Sequence, residues 1–216
     1  MVVSGTDNPS SGHALLVRVE GLRAMDETTR LDALPRTGMT VEPCGIAGLW
    51  RVACEPVSDE RGFFLETFRR SLVDPALGRP YQFVQGNHSR SAAGTLRGFR
   101  SEPWDKLIYV ARGTALIVVV DPRPDSPTFR QHEKVMLGDA PGRRDRLLIS
   151  QGLANAFYCV TEVDYINDVS QEYEPSVRRG FRWNDPTLGI DWPNRTPILS
   201  PADQSLPDFD AYQRGV

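Results

Sequence analysis

The chain has 216 residues, of which 40% are hydrophobic and 25% charged, and a formal net charge of -3. That composition excludes fibrous repeats and disordered tails, and the length is enough to bury a core without disulfides. The slight negative charge gives no electrostatic case for nucleic acid or an anionic membrane as partner, and the sequence holds no apolar window of about 18–20 residues.

Residues 1–40 read as an N-terminal extension, either a lid or a dimer contact, ahead of one domain over 41–216. Within the extension Asp26 fits a helix N-cap, with Leu31 and Leu34 supplying apolar contacts. From Gly45 onward the text is strand and turn. GLWRVACEPV, FFLETFRR, YQFVQGNHSRS and YINDVSQEY are strand candidates. KLIYVARGTALIVVVDPR reads as two strands hinged at Arg112-Gly113, and RLLISQGLANAFYCV as two more around Gln151-Gly152. Ile117 to Val120 is too apolar for an exposed face. Ser200 fits the cap of a short C-terminal helix. Many short strands, few helices and Gly/Pro punctuation predict an all-β jelly-roll sandwich or barrel.

The chemistry-bearing residues narrow the reaction class. Cys44, Cys54 and Cys159 form no CxxC, so reduced, buried thiols and a cytoplasmic location are expected. His13, His88 and His132 form no HxH pair and lie far apart, so no metal is expected. GxGxxG, Walker A, GxSxG and HExxH are all absent, so no cofactor is expected either. Gln85, Asn87, Ser89 and Ser91 recur at every second position, which places them on one face of a strand. The opposite face makes a poor core stripe, so the polar face is expected to line a pocket. Arg97, Arg100 and Lys106 follow it, and such cations suit a phosphate, a carboxylate or an enolate oxygen of a small-molecule substrate.

Six segments in order carry a family resemblance: Arg61-Gly-Phe-Phe-Leu-Glu66, Val84-Gln-Gly-Asn-His-Ser89, Leu96-Arg97-Gly98, Lys106-Leu107, Asp121 to Phe129, and Trp183 to Pro193 continued by Leu199-Ser200 and Asp203. Together they resemble the dTDP-4-dehydrorhamnose 3,5-epimerase family across roughly residues 45–208. The resemblance implies a cupin-type jelly-roll fold, metal-free chemistry and a homodimer. It implies nucleotide-sugar contacts from Arg61, Phe64, Glu66, Gln85, Asn87 and Arg97, and an enolate-stabilising Lys106. It also implies a catalytic aspartate at Asp185, expected to pair with Arg100.

The chain departs from the family pattern where protons move. Arg100 stands where the family's base is histidine, Asn155 replaces a second histidine, and Asn167 aligns with the general-acid tyrosine. A guanidinium stays protonated and cannot accept a carbon-bound proton. An alternating strand would send residues 97 and 100 to opposite faces, so a bulge at Gly98 is expected to turn both inward. Three functions remain open. The first is an isomerase-type enzyme of natural-product biosynthesis, performing a cofactor-free cyclisation or pericyclic rearrangement of a polyketide-like intermediate. The second is a dTDP-4-keto-6-deoxysugar 3- or 5-epimerase with displaced acid/base groups, for which His88, Tyr158 or Tyr165 would substitute. The third is a non-catalytic ligand-binding homologue. For single residues plainer roles compete: Glu66 as a surface residue, Arg97 in a structural ion pair, Asp185 as a turn cap, and Trp183 and Trp192 as packing.

Overall fold

The computed structural model describes residues 38–139, 144–177 and 179–215. The expected extension therefore lies outside the described residues, as does the helix capped by Asp26, except that Met39 already opens the first strand.

The described residues hold twelve strands: β1 (Met39–Pro43), β2 (Leu49–Cys54), β3 (Val57–Asp59), β4 (Gly62–Phe64), β5 (Gln85–Ser91), β6 (Leu96–Ser101), β7 (Lys106–Arg112), β8 (Thr114–Val120), β9 (His132–Gly138), β10 (Arg146–Ile149), β11 (Ala154–Cys159) and β12 (Val163–Val169). One sheet runs β1-β2-β10-β7-β12-β5, a second runs β6-β11-β8-β9, and β3-β4 is a separate hairpin. Every pairing between these strands is antiparallel. Among the described residues three short α-helices accompany them: α1 (Arg70–Leu77), α2 (Pro201–Gln204) and α3 (Phe209–Arg214). The architecture is the expected all-β jelly roll with short C-terminal helices. Among the described residues, no helix is long and apolar enough to cross a membrane.

Burial explains the strand sequences. Ala115, Ile117 and Val119 point between the sheets, where they meet Ile108, Val110, Leu147 and Ile149 of the larger sheet. Leu116, Val118 and Val120 point the other way, under Phe181, Phe209 and Tyr212 of the C-terminal segment. Both faces of β8 are thus covered, which requires an unbroken apolar run. On the outer side of the larger sheet, Val52, Cys54, Leu107 and Leu148 pack with Tyr81 and with Val73 of α1. The Arg112-Gly113 hinge is confirmed: Gly113 sits at φ +81 between β7 and β8, a conformation that favours glycine.

Two readings of local sequence need correction. FFLETFRR does not form one strand: β4 ends at Phe64 and the chain enters α1 at Arg70. Leu65, Phe68, Leu72 and Leu77 pack onto the sheet's outer face, so tertiary burial overrides the strand-like local text. The strand in YQFVQGNHSRS begins only at Gln85. β1, β3 and β9 are not among the strand candidates, although Val135 and Leu137 alternate inward along β9.

At the C-terminal end Ser200 caps α2 as expected, its side chain accepting from Asp203 N. Trp183 and Trp192 pack against each other at 6.1 Å, and the Trp192 indole donates to the Trp183 carbonyl. All three cysteines are free, and burial pushes each thiol up to about 11, far from a reactive thiolate.

Candidate active site

Register brings the polar faces of five strands together at one end of the sandwich. Across β5 and β12, Ser89 pairs with Tyr165 and Asn87 with Asn167. Across β6 and β11, Arg100 pairs with Asn155 and Arg97 with Phe157. Two residues of β6, Gly98 and Phe99, therefore oppose the single Ala156 of β11, and Gly98 in this bulge sits at φ +115. The bulge does what alternation alone cannot: Arg97 and Arg100 line the same cleft.

The cleft has two adjoining lobes of about 460 and 230 Å³. Gln85, Asn87, Ser89, Trp104 and Tyr173 line the larger, and Arg100, Lys106, Asn155, Ser200 and Asp203 the smaller. Arg97, Glu102, Phe157, Tyr165 and Asn167 form their common wall.

In the larger lobe the donors are placed by neighbours. Arg97 Nε donates to Ser91 Oγ at 2.9 Å, leaving the rest of this exposed guanidinium toward the lobe. Gln85 Nε2 donates to Asn87 Oδ1 at 2.7 Å, and Gln85 Oε1 accepts from Tyr173 N at 2.9 Å. Planar donors beside an arginine fit a phosphate or diphosphate.

The smaller lobe holds the charge pairs. Lys106 is only 2% exposed. Its Nζ lies 2.5 Å from Glu102 Oε2, 2.8 Å from Asn155 Oδ1 and 3.2 Å from the Arg100 carbonyl. An ammonium has three donors, and all three are engaged. Burial lowers the Lys106 pKa, while the charge of Glu102 opposes that shift. Tyr165 stacks on Phe157 at 4.2 Å; burial first, and the Glu102 charge second, raise its pKa, so the phenol keeps its proton. The Asn155 amide hydrogen-bonds Tyr165 in turn. Arg100 Nη2 donates to Asp203 Oδ1 at 2.5 Å.

Seven expected site residues thus converge: Gln85, Asn87, Arg97, Arg100, Lys106, Asn155 and Asn167. Four do not. Arg61 and Phe64 lie on the exposed β3-β4 hairpin, where Arg61 pairs with Asp59, and Glu66 pairs with Arg69. Asp185 is buried outside the cleft. It accepts from Thr187 N and Oγ1, from Phe209 N and from Arg182, capping the 3-10 turn Pro186–Leu188. The expected Arg100–Asp185 pair is therefore corrected to Arg100–Asp203.

Of the candidate substitutes, Tyr165 alone reaches the cleft. His88 is bonded to Asp164 on β12, and Tyr158 packs against the outer core. Glu102 and Asp203 were missed as site residues, although Asp203 belongs to the closing motif and Glu102 to the short Arg100–Lys106 link. Among the described residues, no group of three His, Cys, Asp or Glu side chains comes together as a metal-ligand set.

Comparison with known proteins agrees with this geometry. The family model described as dTDP-4-dehydrorhamnose 3,5-epimerase matches residues 43–211. A dTDP-4-dehydrorhamnose 3,5-epimerase of Shigella flexneri is 38% identical over 162 residues, 71% of this chain and 88% of that protein. A dTDP-4-dehydrorhamnose 3-epimerase of Streptomyces niveus is 36% identical over 77% of this chain and 82% of its own length. Among solved structures, the 4-keto-6-deoxy sugar epimerase of the novobiocin gene cluster of Streptomyces spheroides superposes with a TM-score of 0.78 at 34% identity, covering 84% of this chain and 94% of that one. A 3'-monoepimerase of Streptomyces bikiniensis in complex with dTDP-quinovose superposes with a TM-score of 0.75 at 32% identity, covering 81% and 90%. Matching motifs, topology and coverage lead to one statement: the chain belongs to the dTDP-4-dehydrorhamnose 3,5-epimerase family, with a cupin-type jelly-roll fold.

Proposed function

We propose that the protein is an isomerase that epimerises a dTDP-linked 4-keto-6-deoxysugar next to its ketone. The observation that carries this reading is the two-lobed cleft. A lobe suited to a diphosphate, with Arg97, Gln85 and Asn87, adjoins a lobe where charged groups surround a buried lysine. The relatives' names support the substrate class, since they act on dTDP-sugars or 4-keto-6-deoxy sugars. Several groups expected to matter by resemblance are replaced here, so proton transfer falls to other side chains. The reading of a ring-forming or pericyclic rearrangement of a polyketide-like intermediate gains nothing from these relatives. We retain natural-product biosynthesis as the setting, in line with the relative from an antibiotic gene cluster. A cytoplasmic homodimer belongs to the same proposal.

The test is incubation with dTDP-4-keto-6-deoxyglucose in D₂O, followed by NMR. Deuterium at C3 or C5 is the expected result. Binding of the nucleotide sugar without any exchange would instead support the non-catalytic homologue and overturn the epimerase reading.

A further inference from the structure

Epimerisation beside a ketone needs a group that accepts a proton from carbon and one that returns a proton to the other face. The position where the family pattern has its base holds Arg100, which cannot accept a proton. Each remaining group in the smaller lobe can be judged by its partners.

Asp203 has both oxygens committed, Oδ1 to Arg100 and Oδ2 to Ser200 Oγ at 2.7 Å. Lys106 has all three donors engaged and is buried. Glu102 differs. Its Oε2 meets Lys106, and among the described residues no hydrogen-bond partner reaches its Oε1. Its side chain is 13% exposed and forms part of the wall between the two lobes.

The backbone around Glu102 is held tightly. Its carbonyl accepts from Gly152 N at 3.0 Å, Ser101 N donates to the Arg179 carbonyl at 2.9 Å, and Ser101 Oγ donates to the Gly152 carbonyl at 3.1 Å. Pro103 restricts the next φ angle. Pinned backbone plus one pinned carboxylate oxygen leaves the other oxygen at a defined place in the cleft. Burial and the Glu102 charge together keep the Tyr165 phenol protonated in the same wall, so a proton donor accompanies the acceptor.

We propose that Glu102 is the catalytic base of this protein and Tyr165 its proton donor, with Lys106 positioning the Glu102 carboxylate. This rests on the epimerase reading and names the groups that carry it out. Glu102 Oε1 takes the proton from the carbon beside the ketone. The C–H electron pair moves into an enolate, with negative charge on the former carbonyl oxygen facing the cationic lining of Arg97 and Arg100. The Tyr165 hydroxyl delivers a proton to the opposite face of that carbon, and the enolate collapses to the ketone with inverted configuration. Solvent water then reprotonates the Tyr165 phenolate and removes the proton from Glu102.

The experiment follows deuterium uptake and configuration together, using dTDP-4-keto-6-deoxyglucose in D₂O. Wild type should take up deuterium and invert. Glu102→Gln should lose at least about 100-fold in deuterium uptake while dTDP binding, followed by calorimetry, is retained. Tyr165→Phe should still take up deuterium but return it to the original face, so label appears without inversion. A Glu102→Gln protein that binds dTDP and exchanges at the wild-type rate overturns the assignment and leaves the epimerase reading intact. Wild type that takes up no deuterium overturns both. Should Glu102→Gln fail to unfold cooperatively, Glu102→Asp keeps a carboxylate near Lys106 but draws it back by one methylene. That variant should lose about tenfold in uptake, and a wild-type rate from it overturns the assignment.

Discussion

Arg100 and Asp203 meet at 2.5 Å on the floor of the smaller lobe, joining β6 to the C-terminal helix α2. Their side chains are 13% and 7% exposed, so the pair is largely shielded from solvent. The Asp203 carboxylate is fixed from both sides, since Ser200 Oγ donates to its second oxygen while also capping α2. The pair therefore anchors the C-terminal segment to the wall of the site.

Removing one charge strands the other in a low-dielectric place. Asp203→Ala should cost about 3 kcal/mol of stability, read from urea unfolding. Arg100→Met combined with Asp203→Leu should be less destabilised than the two single changes added together, because neither charge is then left alone. Additive losses would show that the two side chains are not coupled.

Gly98 makes the β6 bulge possible. A Cβ placed there would lie 2.7 Å from Ala156 Cα and 2.7 Å from the Asn155 carbonyl oxygen, both backbone atoms of β11. The backbone is also at φ +115, a region that side-chain-bearing residues avoid. Gly98→Ala should cost roughly 3 kcal/mol through strain and overpacking. Because Arg97 and Arg100 flank the bulge, dTDP affinity should fall as well. Unchanged stability in thermal unfolding would contradict this account.

How much of this was legible beforehand depends on the range of the interaction. The Ile117 to Val120 run announced a strand covered on both faces, and Gly113 announced a turn, because both are local consequences of burial and φ. The spacing of Gln85, Asn87 and Ser89 gave one wall of the cleft, since strand alternation is also local. Choosing between Asp185 and Asp203 required the path of the C-terminal segment, which wraps the smaller sheet and brings only α2 to the site. Glu102 was hidden for a similar reason: its meaning comes from a buried lysine four positions on and an asparagine on another strand. FFLETFRR misled because an exposed hairpin and a helix packed on a sheet can share one apolar text.

Acid should loosen one identifiable corner. Burial pushes the Asp121 carboxyl up, but hydrogen bonds from Arg123, Ser126 and Thr128, with the Arg123 backbone, outweigh it and hold the pKa at about 2. A depressed carboxylate pKa stabilises the folded state above the unfolded value near 4 and loses that contribution as pH falls through the folded value. Stability should therefore drop between about pH 4 and pH 2 in part through Asp121. Asp121→Asn should be less stable at neutral pH by about 3 kcal/mol and show a shallower decline across that acid window. An acid transition identical in both proteins would remove Asp121 from the explanation.

The β3-β4 hairpin should be an interface between two copies of the chain. All six of its strand residues are exposed, and Phe63 and Phe64 present 53% and 45% of their surface. Val57 adds a third apolar side chain at 45%, while Arg61 and Asp59 pair at the tip. Phe63 meets the Arg144 guanidinium at 4.9 Å, yet both rings stay about half exposed on a two-stranded hairpin joined to neither sheet. Covering the exposed half of each ring would contribute about 1 kcal/mol, and a twofold dimer doubles every such contact. Light scattering coupled to gel filtration should accordingly give a dimer for the full chain. Replacing both rings, Phe63→Ser with Phe64→Ser, should shift the population toward monomer at micromolar concentration, with the unfolding transition of each subunit preserved. A monomeric wild-type chain, or a double variant that dimerises as tightly as wild type, would place the contact elsewhere.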